Sequence, residues 1–216
     1  MRGVAGKPYV NLDKHVDLTL VPELYAELSR NRSCVEPTVF AQPTRILIFR
    51  DGALSPELYS QDVVKQYQRI AKLPNPMLQH GSIFRFRKST SYANYDRAAE
   101  SYDATYYHLF PKLQEFVKRL PMSEIGRVSG FVSEPGIAGV LHKDHPQDHA
   151  LKEFIWVRLS ADKKFFVYDG AKTYIESTAA FFNVLDFHGA DAPTRLTFSI
   201  RVDGRFTPEL REAIGG

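Results

Sequence analysis

The chain has 216 residues, 44% of them apolar and 25% charged, the balance of a globular protein. This excludes a disordered tail, a collagen and a coiled coil, and is enough chain for one domain with its own core. A formal net charge of +3 is too weak by itself to point to nucleic acid or an acidic membrane surface.

The first fifteen residues lack the apolar stretch of a secretory leader. Residues 1–44 are broken up by Pro and Asn and define no element. They hold the only cysteine, Cys34, so no internal disulfide or thiolate metal site can form, which fits a reducing compartment. Residues 45–50 are a short apolar run and read as a strand. Ser55-Pro56-Glu57 is a helix start, with a capping serine and proline in the first turn, and the helix runs over 58–73 until Pro74. Residues 83–87 alternate as a strand. Residues 97–120 read as mostly helical, with Leu113, Phe116, Val117 and Leu120 on one stripe and Pro111 breaking or restarting the helix.

From Gly126 the texture changes to short strands, expected at 127–133, 137–142, 153–159, 164–168, 173–175, 181–187 and 195–202. Turn signals at Glu134-Pro135-Gly136, Asp169-Gly170 and 189–193 separate them. So many short strands in a row imply a jelly roll or barrel. The expected fold is α+β: a double-stranded β-helix (jelly-roll, cupin-like) core over 126–204. Residues 1–120 add an N-terminal part with a covering helical layer, all within a single domain, 1–216. No apolar run approaches ~18 residues, so no membrane span is expected, and the setting is read as cytoplasmic.

The residues that carry chemistry are His142 and Asp144, in LHKDHPQDH, and His188, in LDFHGAD. On a strand, positions i and i+2 share a face, so an imidazole and a carboxylate are presented together. A later strand ending in His188 can lie beside the first in a rolled sheet. Two histidines and a carboxylate form the facial triad of non-haem Fe(II), with open positions for a cosubstrate and O2. His-x-Asp alone is a common tripeptide, and a solvated polar loop is its bland reading. The strand after His188 adds weight. In TRLTFSIRV, Arg195, Thr197, Ser199 and Arg201 share one parity, and Leu196, Phe198, Ile200 and Val202 the other. The apolar face can pack on the helices. The polar face, turned into a barrel, holds two arginines that need an anion such as a dicarboxylate.

His142-Lys143-Asp144, a distal His188 and the following Arg195-Leu196-Thr197 resemble the Fe(II)/2-oxoglutarate-dependent oxygenases over roughly 126–204. The resemblance implies that His142, Asp144 and His188 are the metal ligands and catalytic centre. Fe(II) is then the cofactor, with 2-oxoglutarate and O2 as cosubstrates. It implies that an arginine binds the far carboxylate of 2-oxoglutarate, Arg195 with Thr197 by the match to Arg-x-Ser, and Arg201 close behind. Both arginines stand at a different distance from His188 than in the family pattern, and the interval between them is that of some nucleic-acid demethylases of the family. With Asp144 present, hydroxylation, desaturation or ring formation is implied rather than halogenation. The expected partner is a small-molecule substrate, an amino acid or natural-product intermediate, with Arg85, Arg87, Tyr95, Trp156 and Arg158 as binding candidates. The same chemistry on a protein side chain or an alkylated nucleic acid is an alternative, although +3 without a Lys/Arg run argues against nucleic acid. A non-enzymatic jelly-roll binding module and a metalloenzyme without a cosubstrate are others.

Overall fold

Beyond residue 120 the sequence alternates apolar and polar residues, as strands with one buried face do, and these strands pair into antiparallel sheets. The computed structural model of the protein describes residues 3–31, 49–50, 53–54, 82–87, 110–133, 135–136, 138–142 and 153–215. In chain order the strands are β1 (Tyr9–Asn11), β2 (Phe49–Arg50), β3 (Ala53–Leu54), β4 (Ser82–Arg87), β5 (Met122–Ser133) and β6 (Gly139–His142). They continue as β7 (Phe154–Arg158), β8 (Phe165–Tyr168), β9 (Lys172–Tyr174), β10 (Ala179–Phe182), β11 (Phe187–Ala190) and β12 (Thr197–Phe206). The helices are α1 (Val21–Arg30), α2 (Pro111–Lys118) and α3 (Pro208–Ala213).

One sheet has the order β1-β10-β7-β12-β5-β4 and the other β6-β11-β8-β9, while β2 and β3 pair alone. From β5 to β12 the chain passes back and forth between the two larger sheets, which is the strand order of a double-stranded β-helix. Aromatic rings bridge them. Phe165 of β8 lies 5.1 Å from Trp156 of β7 and 5.2 Å from Phe182 of β10.

The outer face of β12 carries Phe198, Ile200 and Val202, all buried in one cluster with Leu24 and Leu28 of α1 and Leu113 and Phe116 of α2. Tyr25 meets Phe198 edge-on at 5.4 Å, and its hydroxyl donates to the Leu196 carbonyl at 3.1 Å. Helices therefore cover the apolar face that the parity of 196–202 marks. Glu27 joins the two helices by accepting from the backbone N–H groups of Lys112 (2.8 Å) and Leu113 (2.9 Å). Pro111 occupies the first turn of α2, so a helix starts there. The remaining helical layer expected at 58–73 and 97–109 lies outside the described residues.

Some elements differ from the sequence reading. The strand expected over 181–187 is two strands, β10 and β11. Asn183 closes the turn between them, its side-chain oxygen accepting from Leu185 N (3.0 Å) and its carbonyl from Asp186 N (3.0 Å). His188 therefore lies inside β11 rather than at a strand end. β12 starts at Thr197, two residues later than expected, and runs on to Phe206 because β5 pairs with it along nearly its whole length. Gly204 permits one close approach in that pairing, since a Cβ there would meet the Glu124 carbonyl oxygen at 2.1 Å. No described helix is long and apolar enough to cross a membrane.

Candidate active site

β6 and β11 are antiparallel neighbours, and His142 and His188 are direct cross-strand partners. Their Cα atoms are thus about 4.5–5.5 Å apart, although the residues are far apart in the chain. Asp144 follows β6 and lies outside the described residues. Among the described residues no group of three or more His, Cys, Asp and Glu is placed to hold a metal ion.

His188 is 4% exposed. Its Nδ1 stands 2.9 Å from the Asp186 carbonyl oxygen. A carbonyl only accepts, so Nδ1 carries the proton and Nε2 the lone pair. A metal-ligating imidazole is oriented by such a contact. Phe165 stacks on the ring at 5.8 Å and Phe182 lies at 5.4 Å, so the imidazole sits on the inner, aromatic side of the smaller sheet. The Nε2 lone pair so oriented is a donor of the kind a divalent metal takes.

Across the interior, one register row runs through the larger sheet: Asn11, Ala180, Trp156, Arg201, Ser129 and Arg85. Trp156 is buried on the inner face against Phe165. Arg158, two residues on, donates to the Glu176 carbonyl at 2.7 Å in an exposed contact. Arg87 follows Arg85 beyond a bulge and pairs with Val128. Tyr95 lies outside the described residues.

The two arginines do not form the uncompensated pair that strand parity implies. Arg195 precedes β12, its side chain is 64% exposed, and its Nε lies 2.6 Å from Asp162. Its charge is met at the surface because the strand begins only at Thr197. Arg201 is buried, but its Nε bonds Asp203 at 2.7 Å and its guanidinium lies 4.1 Å from the centre of the Phe154 ring. Asp203 was legible in principle: Arg201-Val202-Asp203 puts opposite charges at i and i+2, on one strand face.

Thr197 and Ser199 are buried on this inner face, and among the described residues their hydroxyl oxygens have no hydrogen-bond partner. Thr197 pairs with Ser133 of β5, whose hydroxyl accepts from the Lys163 ammonium. Lys163 is buried, and burial pushes its ammonium down to about 8. The sequence shows only a charged turn, Ala161-Asp162-Lys163-Lys164, and no periodicity separates its inward lysine from the outward one.

The strand order defines a double-stranded β-helix, in which His142 and His188 are cross-strand partners on neighbouring strands. No protein-family model matches the chain, and no curated protein matches it. Among solved structures, it is similar to a Pseudomonas putida prolyl-4-hydroxylase at 14% identity, covering 94% of each chain with a TM-score of 0.47. A viral collagen prolyl hydroxylase from Paramecium Bursaria Chlorella virus-1, in a complex with 2OG, is 12% identical over 71% of this chain and 94% of its own, with a TM-score of 0.33. A Cupin 2 conserved barrel protein from Salinispora arenicola is 12% identical over 63% of this chain and 84% of its own, with a TM-score of 0.32.

Proposed function

We propose that the protein is an Fe(II)/2-oxoglutarate-dependent oxygenase that hydroxylates, desaturates or cyclises a small molecule such as an amino acid or natural-product intermediate. The observation that carries this reading is the cross-strand pairing of His142 with His188, with His188 held by the Asp186 carbonyl. His142, Asp144 and His188 would hold the iron. When bound, the metal supplies the activation of O2 that couples decarboxylation of 2-oxoglutarate to oxidation of a substrate C–H bond.

The chain's own part is placement. The Asp186 carbonyl keeps the proton on Nδ1, so His188 presents the lone pair of Nε2. Phe165, Phe182 and Trp156 wall the interior and limit water beside it. The hydroxyl-bearing face of β12 supplies polar contacts in that space. Arg85, Arg87, Tyr95, Trp156 and Arg158 are the substrate candidates, of which Trp156 is buried on the inner face. The small-molecule assignment is supported by the modest net charge of +3, which supplies no basic groove.

The test is succinate formation from 2-oxoglutarate in the presence of Fe(II) and O2. Replacing His142, Asp144 or His188 singly with alanine is expected to abolish it. Turnover retained in any of the three variants would overturn the assignment of that ligand, and retained in all three, the reading.

A further inference from the structure

We propose that Asp186 is a positioning residue for the His188 imidazole, and that a turn at residues 3–7 holds Asp186 in place. Its bearing on metal binding rests on the oxygenase reading, whereas the contacts themselves do not.

His188 takes its orientation from a main-chain group, the Asp186 carbonyl, 2.9 Å from Nδ1. That carbonyl fixes the ring only as firmly as residue 186 is itself fixed. Asp186 closes the turn between β10 and β11, its N–H donating to the Asn183 carbonyl at 3.0 Å. A short turn is free to shift unless contacts from elsewhere hold it. Here the hold comes from Gly3, 183 residues earlier in the chain. The Gly3 N–H donates to the Asp186 carboxylate at 2.6 Å, and the Gly3 carbonyl accepts from the Asn183 side-chain amide at 3.4 Å. Both backbone groups of one residue thus clamp both ends of the turn. Asp186 is buried, and a buried carboxylate needs such donors. It faces two ways, its side chain to Gly3 and its carbonyl to His188.

Gly3 is placed by a turn of its own. Val4 and Lys7 exchange backbone hydrogen bonds at 2.8 and 2.9 Å. Gly3 sits at φ +63°, and a Cβ there would meet the Lys7 carbonyl oxygen at 2.5 Å, so alanine cannot take its place without moving the turn. The chain then enters β1, whose Tyr9, Val10 and Asn11 pair with Phe182, Phe181 and Ala180 of β10. Phe182 ends β10, and its ring lies 5.4 Å from the imidazole. β1 therefore braces the strand before the β10–β11 turn, and Gly3 braces the turn.

The test uses the metal-free full chain, and then Co(II) as the probe of the imidazole donor. Imidazole nitrogen resonances report which ring nitrogen holds the proton, and His188→Ala assigns those of His188. Wild type is expected to show the Nδ1–H form. Gly3→Ala and Asp186→Ala are each expected to shift His188 away from that form and to weaken Co(II) binding about tenfold, read by calorimetry. Asp186→Asn keeps a side-chain oxygen that accepts from the Gly3 N–H and is expected to preserve both readings. Glu27→Ala loosens the α1–α2 contact and is expected to move neither, which separates positioning from a general loss of stability. Gly3→Ala keeps the test decisive if Asp186→Ala does not fold. Unchanged His188 resonances in both variants, or the same change in Glu27→Ala, overturns the proposal. Where Co(II) binding needs His188, unchanged affinity in both variants overturns it too. Co(II) that does not bind wild type, or binds His188→Ala equally well, overturns the metal reading, and the resonances alone then decide the role of Asp186.

Discussion

Arg201 and Lys163 occupy the same interior but meet their charges differently, and this predicts opposite responses to substitution. Arg201 is held by Asp203, which is fully buried. Asp203→Ala removes the buried carboxylate at the Arg201 Nε and is expected to cost roughly 3–5 kcal/mol, read as a lower urea midpoint at unchanged m. Lys163 has only Ser133. The charged groups beside it are committed elsewhere, Asp162 to Arg195 and Asp191 to Lys172 and Tyr174. Its folded value of about 8 lies below its unfolded value, so between them the unfolded chain binds the extra proton and stability rises with pH. Below pH 8 both states are protonated and the penalty is present in full. Relative to Lys163→Met, wild type without added anion is expected to gain roughly 2 kcal/mol between pH 8 and pH 10. A flat difference across that window would contradict a desolvated lysine.

At the scale of elements, α1 and α2 share a buried apolar cluster and an exposed Lys112–Glu23 ion pair, and one buried polar side chain ties them together. Glu27 is 2% exposed and accepts from two backbone N–H groups at the start of α2. The carboxylate satisfies donors that a helix start leaves open and lies favourably at the positive end of the dipole. Glu27→Ala is expected to cost about 2–3 kcal/mol, with amide exchange rising first in α2. Unchanged exchange there would show that the cap is dispensable. This residue was not legible, because residues 1–44 offer no clear periodicity. Yet Pro22-Glu23, with Leu24 and Leu28 four apart, is a helix start and an apolar stripe in retrospect. The turn at Asn183 was hidden by its neighbours: Phe181, Phe182, Val184, Leu185 and Phe187 read as one apolar run, and a single Asn did not break it. Thr207-Pro208-Glu209, a capping signature, begins α3, where the Thr207 hydroxyl accepts from Leu210 N at 3.3 Å.

At the scale of the molecule, the architecture was legible because strand parity and turn residues are local signals, and the jelly-roll order follows from many short strands. The strand order agrees with that reading. The meeting of His142 and His188 was anticipated as a possibility of rolling the sheet, and the register makes them direct partners. The arginine argument failed at a boundary: two residues of strand that do not form put Arg195 in solvent, and Asp203 answers Arg201. Neither a strand end nor a turn lysine folded inward has a periodic signature. The most direct test of the central claim is to mix anaerobic protein with Fe(II) and 2-oxoglutarate and record the visible spectrum. The paired-histidine centre predicts the charge-transfer band of a metal-chelated 2-oxo acid in wild type and its loss in His188→Ala. No band in wild type, or a band that survives in His188→Ala, would contradict it.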